Sequence, residues 1–570
     1  MTEKSMSLLL LEVYPNKAFY KKNDEVIIHV TVKNENGIYM NEKMVIKVFK
    51  HHKLIREDVR IESFDHGITK LTINLIAPDS PIQGYGVEVM IGDSKITTAF
   101  DVLNSWFERP RYGFLSDFYK ADENDGKDIS SMLKLHINVV QFYDWMYKHE
   151  DLIPKEPYYF DLLERELSQK AISSKIKGCR NAGMKTLAYG AIYAASKTFY
   201  EEHKEWALYT NDGRPQNLGN WFYIMNIAQA CPWRGHIIGE FKKALDVMGF
   251  DGIHMDTYGF PKIAYSNLNN VRKIEHLNEQ FEGLIEDTKE ALATNSDEPC
   301  ITFNSVSNWA IEEIGKSVQD AVYIEVWDPQ ETYYHLYQLV SRAKEISHKQ
   351  VILAAYFKPY GDKDSSTSQQ CHNGFLLTSA TIFASGGFHF ALGEDDGVLY
   401  DPYYVTYQKL DPHSVIELQN YYDFIVRYGN LLFNLDSRDN SMTHTDGGNS
   451  EYDFQCDGIT FSAYPRAGSV WTLLKEQKGY KTIQLINYAG IESDIWNEGK
   501  ESQPTIIENI KIQALIDEEV LGIYMASPDD NLGHTTKFDY ETEMTDRGMT
   551  VIFNVNKLSV WNLIYIEVMD

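Results

Sequence analysis

Cysteine is scarce in this sequence. Five residues in 570 (Cys179, Cys231, Cys300, Cys371 and Cys456) are scattered, odd in number and without a C-x-x-C pair. That pattern indicates neither a disulfide framework nor a thiolate zinc site. Positive charge is also short, with 54 Lys and Arg against 82 Asp and Glu, a net charge of −28. Such a surface repels phosphate backbones and anionic lipid, so neither nucleic acid nor a membrane is an expected partner. Long apolar runs are missing. The leucine run Leu8–Leu11 near the N-terminus is too short for a signal-peptide core, and no stretch approaches the roughly 18 residues of a membrane helix. There is no P-loop, no G-x-G-x-x-G after a strand and no G-x-S-x-G elbow, so nucleotide binding and serine hydrolysis lack support. No internal repeat or low-complexity segment is evident.

Aromatic side chains, by contrast, are plentiful: 37 Tyr, 27 Phe and 10 Trp. Such a surplus either fills cores or offers flat platforms to apolar ligand faces. A chain this long exceeds one core, and two to four domains are expected.

Periodicity divides the chain in three. Residues 1–104 read as strands only (SLLLLEVYP, EVIIHVTVK, KMVIKVFKH, GITKLTINLIAP, YGVEVMIG, SKITTAFDVL), separated by turn residues such as Asn23-Asp24 and Asn34-Glu35-Asn36-Gly37. Six or seven short strands in about a hundred residues suggest an immunoglobulin-like β-sandwich. Residues 105–438 switch to a strand–helix rhythm. Eight strand candidates follow: RYGFLSDF, INVVQFYDW, MKTLAYGAIY, FDGIHMDTYG, PCITFNSV, AVYIEVWDP, QVILAAYF and ATIFASGGFHFALGE. Helical patterns lie between them, and the whole predicts a (β/α)8 TIM barrel. Residues 439–570 return to strands and predict a C-terminal β-sandwich. The expected architecture is multidomain, a central barrel between two all-β units.

Two of the barrel strands end on carboxylates. In FDGIHMDTYG, Ile253 and Met255 face one side and Gly252, His254 and Asp256 the other. In AVYIEVWDP, Val322, Ile324 and Val326 face the helices, with Tyr323, Glu325 and Trp327 toward the lumen. Barrel enzymes keep their chemistry at the C-terminal ends of strands, and two carboxylates over one mouth are what glycoside hydrolysis requires. The competing role for each is pairing with a lysine or capping a helix.

The segments FDGIHMDTYG, YIEVWDP and RYGFLSDF resemble those of glycoside hydrolase family 66, which holds endo-dextranases and cycloisomaltooligosaccharide glucanotransferases. The resemblance spans essentially the whole chain and implies the same three-part architecture. It implies a retaining mechanism with Asp256 as nucleophile and Glu325 as acid/base, acting on the α-1,6 links of a glucan to release isomaltooligosaccharides, with no cofactor and no metal. It also implies a depressed pKa for Asp256 and a raised one for Glu325, the latter through apolar surroundings from Trp327 and Tyr323. Other strand ends offer Asp117, Gln141, Asp144, Tyr189, His254, Asn304, Trp327, Tyr356 and Glu394 as contacts for sugar hydroxyls. Asp117 leads this group, since a first-strand Asp is implicated in the family. Trp145, Trp221, Trp309 and Trp327 are candidate stacking platforms, with core packing as the competing role. The acids of GEDDG (393–397) lack EF-hand ligand spacing.

Within the family the rival activity is cyclisation. The cyclising relatives carry a binding module inserted late in the barrel, for which KPYGDKDSSTSQQCHNG leaves no room. Outside these two activities stand a non-catalytic glucan-binding protein and an α-amylase-like enzyme acting on α-1,4 links. A polymeric substrate favours an extracellular location, yet no leader is evident in the chain.

Overall fold

The computed structural model describes residues 8–569 apart from 36, 38, 220, 294–297, 363–365, 446 and 447. The N-terminal residues before Leu8, Asn36 of the expected turn and part of the segment after the seventh strand lie outside the described residues.

At the N-terminus, Leu8–Pro15, Glu25–Asn34 and Gly67–Ile76 form one antiparallel sheet, and Tyr39–Lys50, Lys53–Phe64, Gln83–Ile91 and Ser94–Val102 a second. Alternation turns Val26, Ile28, Val30 and Val32 of one sheet and Met44, Ile46 and Val48 of the other into a shared apolar cluster. Lys53–Phe64 was not among the six strands named from sequence, because its side chains are mostly exposed and its alternation is weak.

Eight parallel strands then form a nearly closed barrel: β1 (Tyr112–Leu115), β2 (Val139–Phe142), β3 (Lys185–Ala191), β4 (Gly252–Asp256), β5 (Cys300–Asn304), β6 (Ala321–Glu325), β7 (Val351–Ala354) and β8 (Phe388–Phe390). They pair in chain order, and a bridge between Phe114 and Gly393 links the two edges. The expected alternation holds. Ile253, Met255, Val322 and Ile324 pack outward with the helices, whereas Tyr112, Leu187, Tyr323, Ile352 and Phe390 form a separate cluster inside. Gly252 is a steric requirement, since a Cβ there would meet the Cys300 carbonyl at 2.0 Å.

The eighth expected strand is corrected in part. Only Phe388–Phe390 is strand, while Ala380–Ser385 closes a helix, Ser368–Ser385, that is buried on almost every face. An all-round apolar helix has the same short-range pattern as a buried strand, so periodicity could not separate them. Thr367 caps its start by accepting from Gln370 N, and Gly386 ends it at φ 93°.

The C-terminal strands form two further sheets, antiparallel but for one short strand. The larger holds Arg438–Asp439, Val470–Gln477, Tyr480–Asn487, Trp561–Val568, Val520–Ala526 and Thr536–Phe538, with Phe461–Ser462 pairing parallel to Val470–Gln477. The smaller holds Tyr452–Gln455, Ile507–Leu515, Gly548–Leu558 and Glu541–Thr545. Leu485 and Ile564 of the larger sheet pack with Ile512 and Phe553 of the smaller. The larger sheet's opposite face joins the barrel core: Trp561 is fully buried, its ring edge-on to Phe424 of helix Pro412–Arg427. This packing brings the connection around Ile495–Asn497 to the barrel mouth, where Trp496 N donates to Glu331 O at 3.0 Å.

Candidate active site

Three consecutive strands, β4, β5 and β6, end on Asp256, Asn304 and Glu325. Their matched lengths place the three polar side chains side by side at the mouth. Asn304 Nδ2 donates to Asp256 Oδ1 at 2.8 Å and to Glu325 Oε2 at 3.0 Å. Its side-chain carbonyl accepts from Glu325 N at 3.3 Å, which fixes the orientation of the amide. The outer oxygens have their own donors: Tyr189 Oη reaches Asp256 Oδ2 at 2.8 Å, and Tyr356 Oη reaches Glu325 Oε1 at 3.0 Å. Tyr404 Oη lies 2.9 Å from Tyr356 Oη and 3.0 Å from Tyr323 Oη, so a tyrosine chain backs the glutamate.

These carboxylates face a cavity of about 820 Å³ that no Lys or Arg among the described residues lines. Without a cation, burial and the neighbouring Glu325 push Asp256 up to about 7. Burial also raises Glu325, with hydrogen bonds from Trp327, Asn304 and Tyr356 opposing the rise. The expectation of a depressed Asp256 is therefore corrected, because two buried carboxylates on one donor disfavour a second negative charge. Trp327 departs from its expected part as well: 46% of the residue is exposed, and its effect on Glu325 is to lower that group rather than raise it.

Of the nine expected sugar contacts, Gln141, Asp144, Tyr189, His254, Asn304, Trp327 and Tyr356 line the cavity. Several are already engaged. His254 Nδ1 meets Thr302 Oγ1 at 2.9 Å and Tyr112 Oη at 3.2 Å, and burial drives the ring down to about 3, which keeps it neutral. Gln141 Oε1 accepts from Tyr112 Oη at 3.1 Å. Asp144 is raised to about 7 by burial, with Arg165 opposing.

Asp117 and Glu394 do not line the cavity. Glu394 has no exposed surface. Its carboxylate accepts from Ser116 N at 2.8 Å, Ser116 Oγ at 2.7 Å and Asp117 N at 3.1 Å, with Lys175 Nζ at 3.5 Å. Buried among these donors and off the cavity wall, it is not presented to a sugar hydroxyl there. Asp117 Oδ2 accepts from Tyr407 Oη at 3.1 Å, beside this same network. Among the four tryptophans, Trp221 and Trp327 stand exposed on the cavity rim. Trp145 is fully buried with Nε1 on Tyr189 O, and Trp309 packs edge-on to Phe281.

Sequence reasoning missed Tyr143, His149, Phe222, Tyr258, Tyr403 and Tyr404, all of which line the cavity. The tyrosine-rich stretch YDPYYVTY (400–407) was the available signal for the last two. Among the described residues, one His/carboxylate cluster has metal-ligand spacing: His372, His413 and Glu417, within 4.8 Å of one another and outside the cavity. Two of the three acids of GEDDG pair with lysines, Asp395 with Lys409 at 2.6 Å and Glu394 with Lys175 at 3.5 Å.

Residues 15–565 match the sequence model of glycosyl hydrolase family 66. The chain belongs to that family. A cycloisomaltooligosaccharide glucanotransferase of Niallia circulans is 24% identical, over 97% of this chain and 71% of its own length. A dextranase of Streptococcus salivarius is 25% identical, over 85% of this chain and 67% of its own. In the Niallia comparison the aligned span is 706 positions, longer than this 570-residue chain, so that family 66 relative carries internal residues with no counterpart here. The solved glucanotransferase of a Paenibacillus species, complexed with cycloisomaltoheptaose, superposes with a TM-score of 0.88 at 22% identity, over 98% of this chain and 99% of that one. That likeness shows the fold.

Proposed function

We propose that this family 66 protein is a retaining endo-hydrolase of α-1,6-glucosidic linkages, cutting dextran to linear isomaltooligosaccharides. The proposed units are an immunoglobulin-like sandwich (1–104), the catalytic barrel (105–438) and a C-terminal sandwich (439–570). The observation that carries the reading is the shared donor: Asn304 Nδ2 bonds both carboxylates, so those oxygens are no further apart than the 2.8 and 3.0 Å bonds laid end to end. Retaining enzymes hold their pair about 5–5.5 Å apart, whereas inverting enzymes need about 6.5–9.5 Å for a water.

Asp256 attacks the anomeric carbon, the glycosidic bond breaks, and Glu325 gives its proton to the departing O6. Glu325 then takes a proton from water, which attacks the same carbon and frees Asp256. Burial raises both carboxyl groups, and two carboxylates bridged by Asn304 titrate together rather than separately. Transglycosylation by a glucanotransferase uses the same first step and is the second reading, favoured by the coverage of the Niallia relative. Incubation with dextran, starch and pullulan, followed by mass spectrometry, decides. Linear products from dextran alone are expected, and dominance of cyclic products, lighter by one water, would refute hydrolysis as the main activity.

A further inference from the structure

Away from the catalytic cavity, two imidazoles and a carboxylate converge where two helices of the barrel's outer ring begin. His372 lies in helix Ser368–Ser385, which follows β7, and His413 and Glu417 lie in the first two turns of helix Pro412–Arg427, which follows β8. A spacing of four puts His413 and Glu417 on one helix face. Glu417 Oε2 takes both rings, His372 through Nε2 and His413 through Nδ1 at 3.5 Å. One ligand atom from each of the three lies within 4.8 Å of the other two. The His372 side chain is 2% exposed and that of His413 74%, so the core fixes one ring while the other is free to turn. Protein contacts already hold the two helix starts together. Asp411 caps the second by accepting from His413 N at 3.0 Å and Ser414 N at 3.1 Å, and Ser368 Oγ of the first donates to its other carboxylate oxygen at 3.4 Å.

We propose that His372, His413 and Glu417 form a zinc site that fastens the starts of these two helices. The assignment is independent of the glycosidase reading above. Two imidazole nitrogens and one carboxylate oxygen are a donor set that suits Zn²⁺, whereas Ca²⁺ and Mg²⁺ take oxygen ligands. Two rings directed at one carboxylate oxygen meet it through ring N–H groups, or share a cation with it through their lone pairs. A tetrahedral ion about 2.0–2.1 Å from each donor sets the donor atoms about 3.3 Å apart. Turning the exposed His413 ring closes the widest separation, and water takes the fourth position. The carboxylates of Glu417 and the neighbouring Asp411 balance the two positive charges. The site bears on the barrel mouth through the chain it anchors. The connection from β7 to the first helix carries Tyr356, and that from β8 to the second carries Tyr403 and Tyr404, all of which line the catalytic cavity. Zinc holds the far ends of both connections.

The test titrates the full chain, free of any histidine tag and stripped with chelator, with ZnCl₂ by calorimetry. One ion per chain is expected, together with a rise in melting temperature that excess chelator reverses. His413→Ala and Glu417→Gln should each weaken zinc affinity about tenfold or more and remove the rise. The His413 ring is mostly exposed, so its variant tests the site even if His372→Ala folds poorly. His276→Ala, at an exposed histidine on another element, should leave both readouts in place, and CaCl₂ should produce neither. Absence of saturable zinc binding, binding unchanged in the His413 and Glu417 variants, or binding lost only in His276→Ala would reduce the cluster to an ion pair and overturn the site.

Discussion

Two carboxylate pairs sit in the same barrel and differ in almost every consequence. Asp256 and Glu325 end β4 and β6, share Asn304 and face a cavity with no cation among its described lining residues. Glu394 and Asp117 lie beyond the ends of β8 and β1, where Lys175 holds Glu394 at 3.5 Å and Asp128 at 2.7 Å. Burial pushes both Asp256 and Glu394 up to about 7. A raised carboxyl group therefore does not by itself mark chemistry. What separates the pairs is where the unmet demand lies: the Glu394 carboxylate is satisfied by protein donors, while the catalytic candidates keep an open side toward ligand.

The largest effect is expected at the open pair. Asp256→Asn should reduce turnover of dextran by about 10⁴-fold or more, and Glu325→Gln by about 10²–10⁴-fold, with folding intact by circular dichroism. Activity near that of the unmutated enzyme in either would remove that residue from the mechanism. An activated aryl isomaltoside should restore the first step of Glu325→Ala, since its leaving group needs little protonation.

Glu394→Gln should act oppositely, sparing kcat/KM of the folded protein and costing about 2–3 kcal/mol, because the amide nitrogen in place of Oε2 would face two donors, Asp117 N at 3.3 Å and Lys175 Nζ at 3.5 Å. Thermal denaturation measures it. A loss of activity without loss of stability would erase the distinction between the pairs.

Asn304→Ala tests what joins the open pair. Asn304 lowers both carboxyl groups, so its removal should raise both and move the acid limb of the pH–kcat/KM profile to higher pH. An unmoved limb would show that the bridge does not tune the pair.

A smaller effect concerns stability. Asp256 binds its proton more tightly when folded than at its ordinary 3.8, so its contribution is present at low pH and lost as pH rises through about 7. Asp256→Asn should accordingly melt higher than the unmutated protein at pH 8, with the gap closing toward pH 4. A gap that widens toward acid would reverse the sign.

Much of this site was legible in alternation alone. A period of two in FDGIHMDTYG and AVYIEVWDP fixes which residues look inward, and strand ends carry chemistry in a barrel, so Asp256 and Glu325 follow from local pattern. Local pattern could not say which inward or terminal polar groups were already satisfied. Glu394 reads like Glu325 along the chain, yet Ser116 and Lys175, more than two hundred residues earlier, occupy its carboxylate. Likewise Ala380–Ser385 resembles a buried strand until the surrounding core shows apolar contact on every side. The sequence by itself determined the strand faces and the two catalytic candidates, because a backbone period is a local property. Only the tertiary structure decided that Asn304 binds both carboxylates, that Glu394 is sealed and that residues near Asn497 reach the mouth, because hydrogen-bond saturation depends on partners brought together by packing.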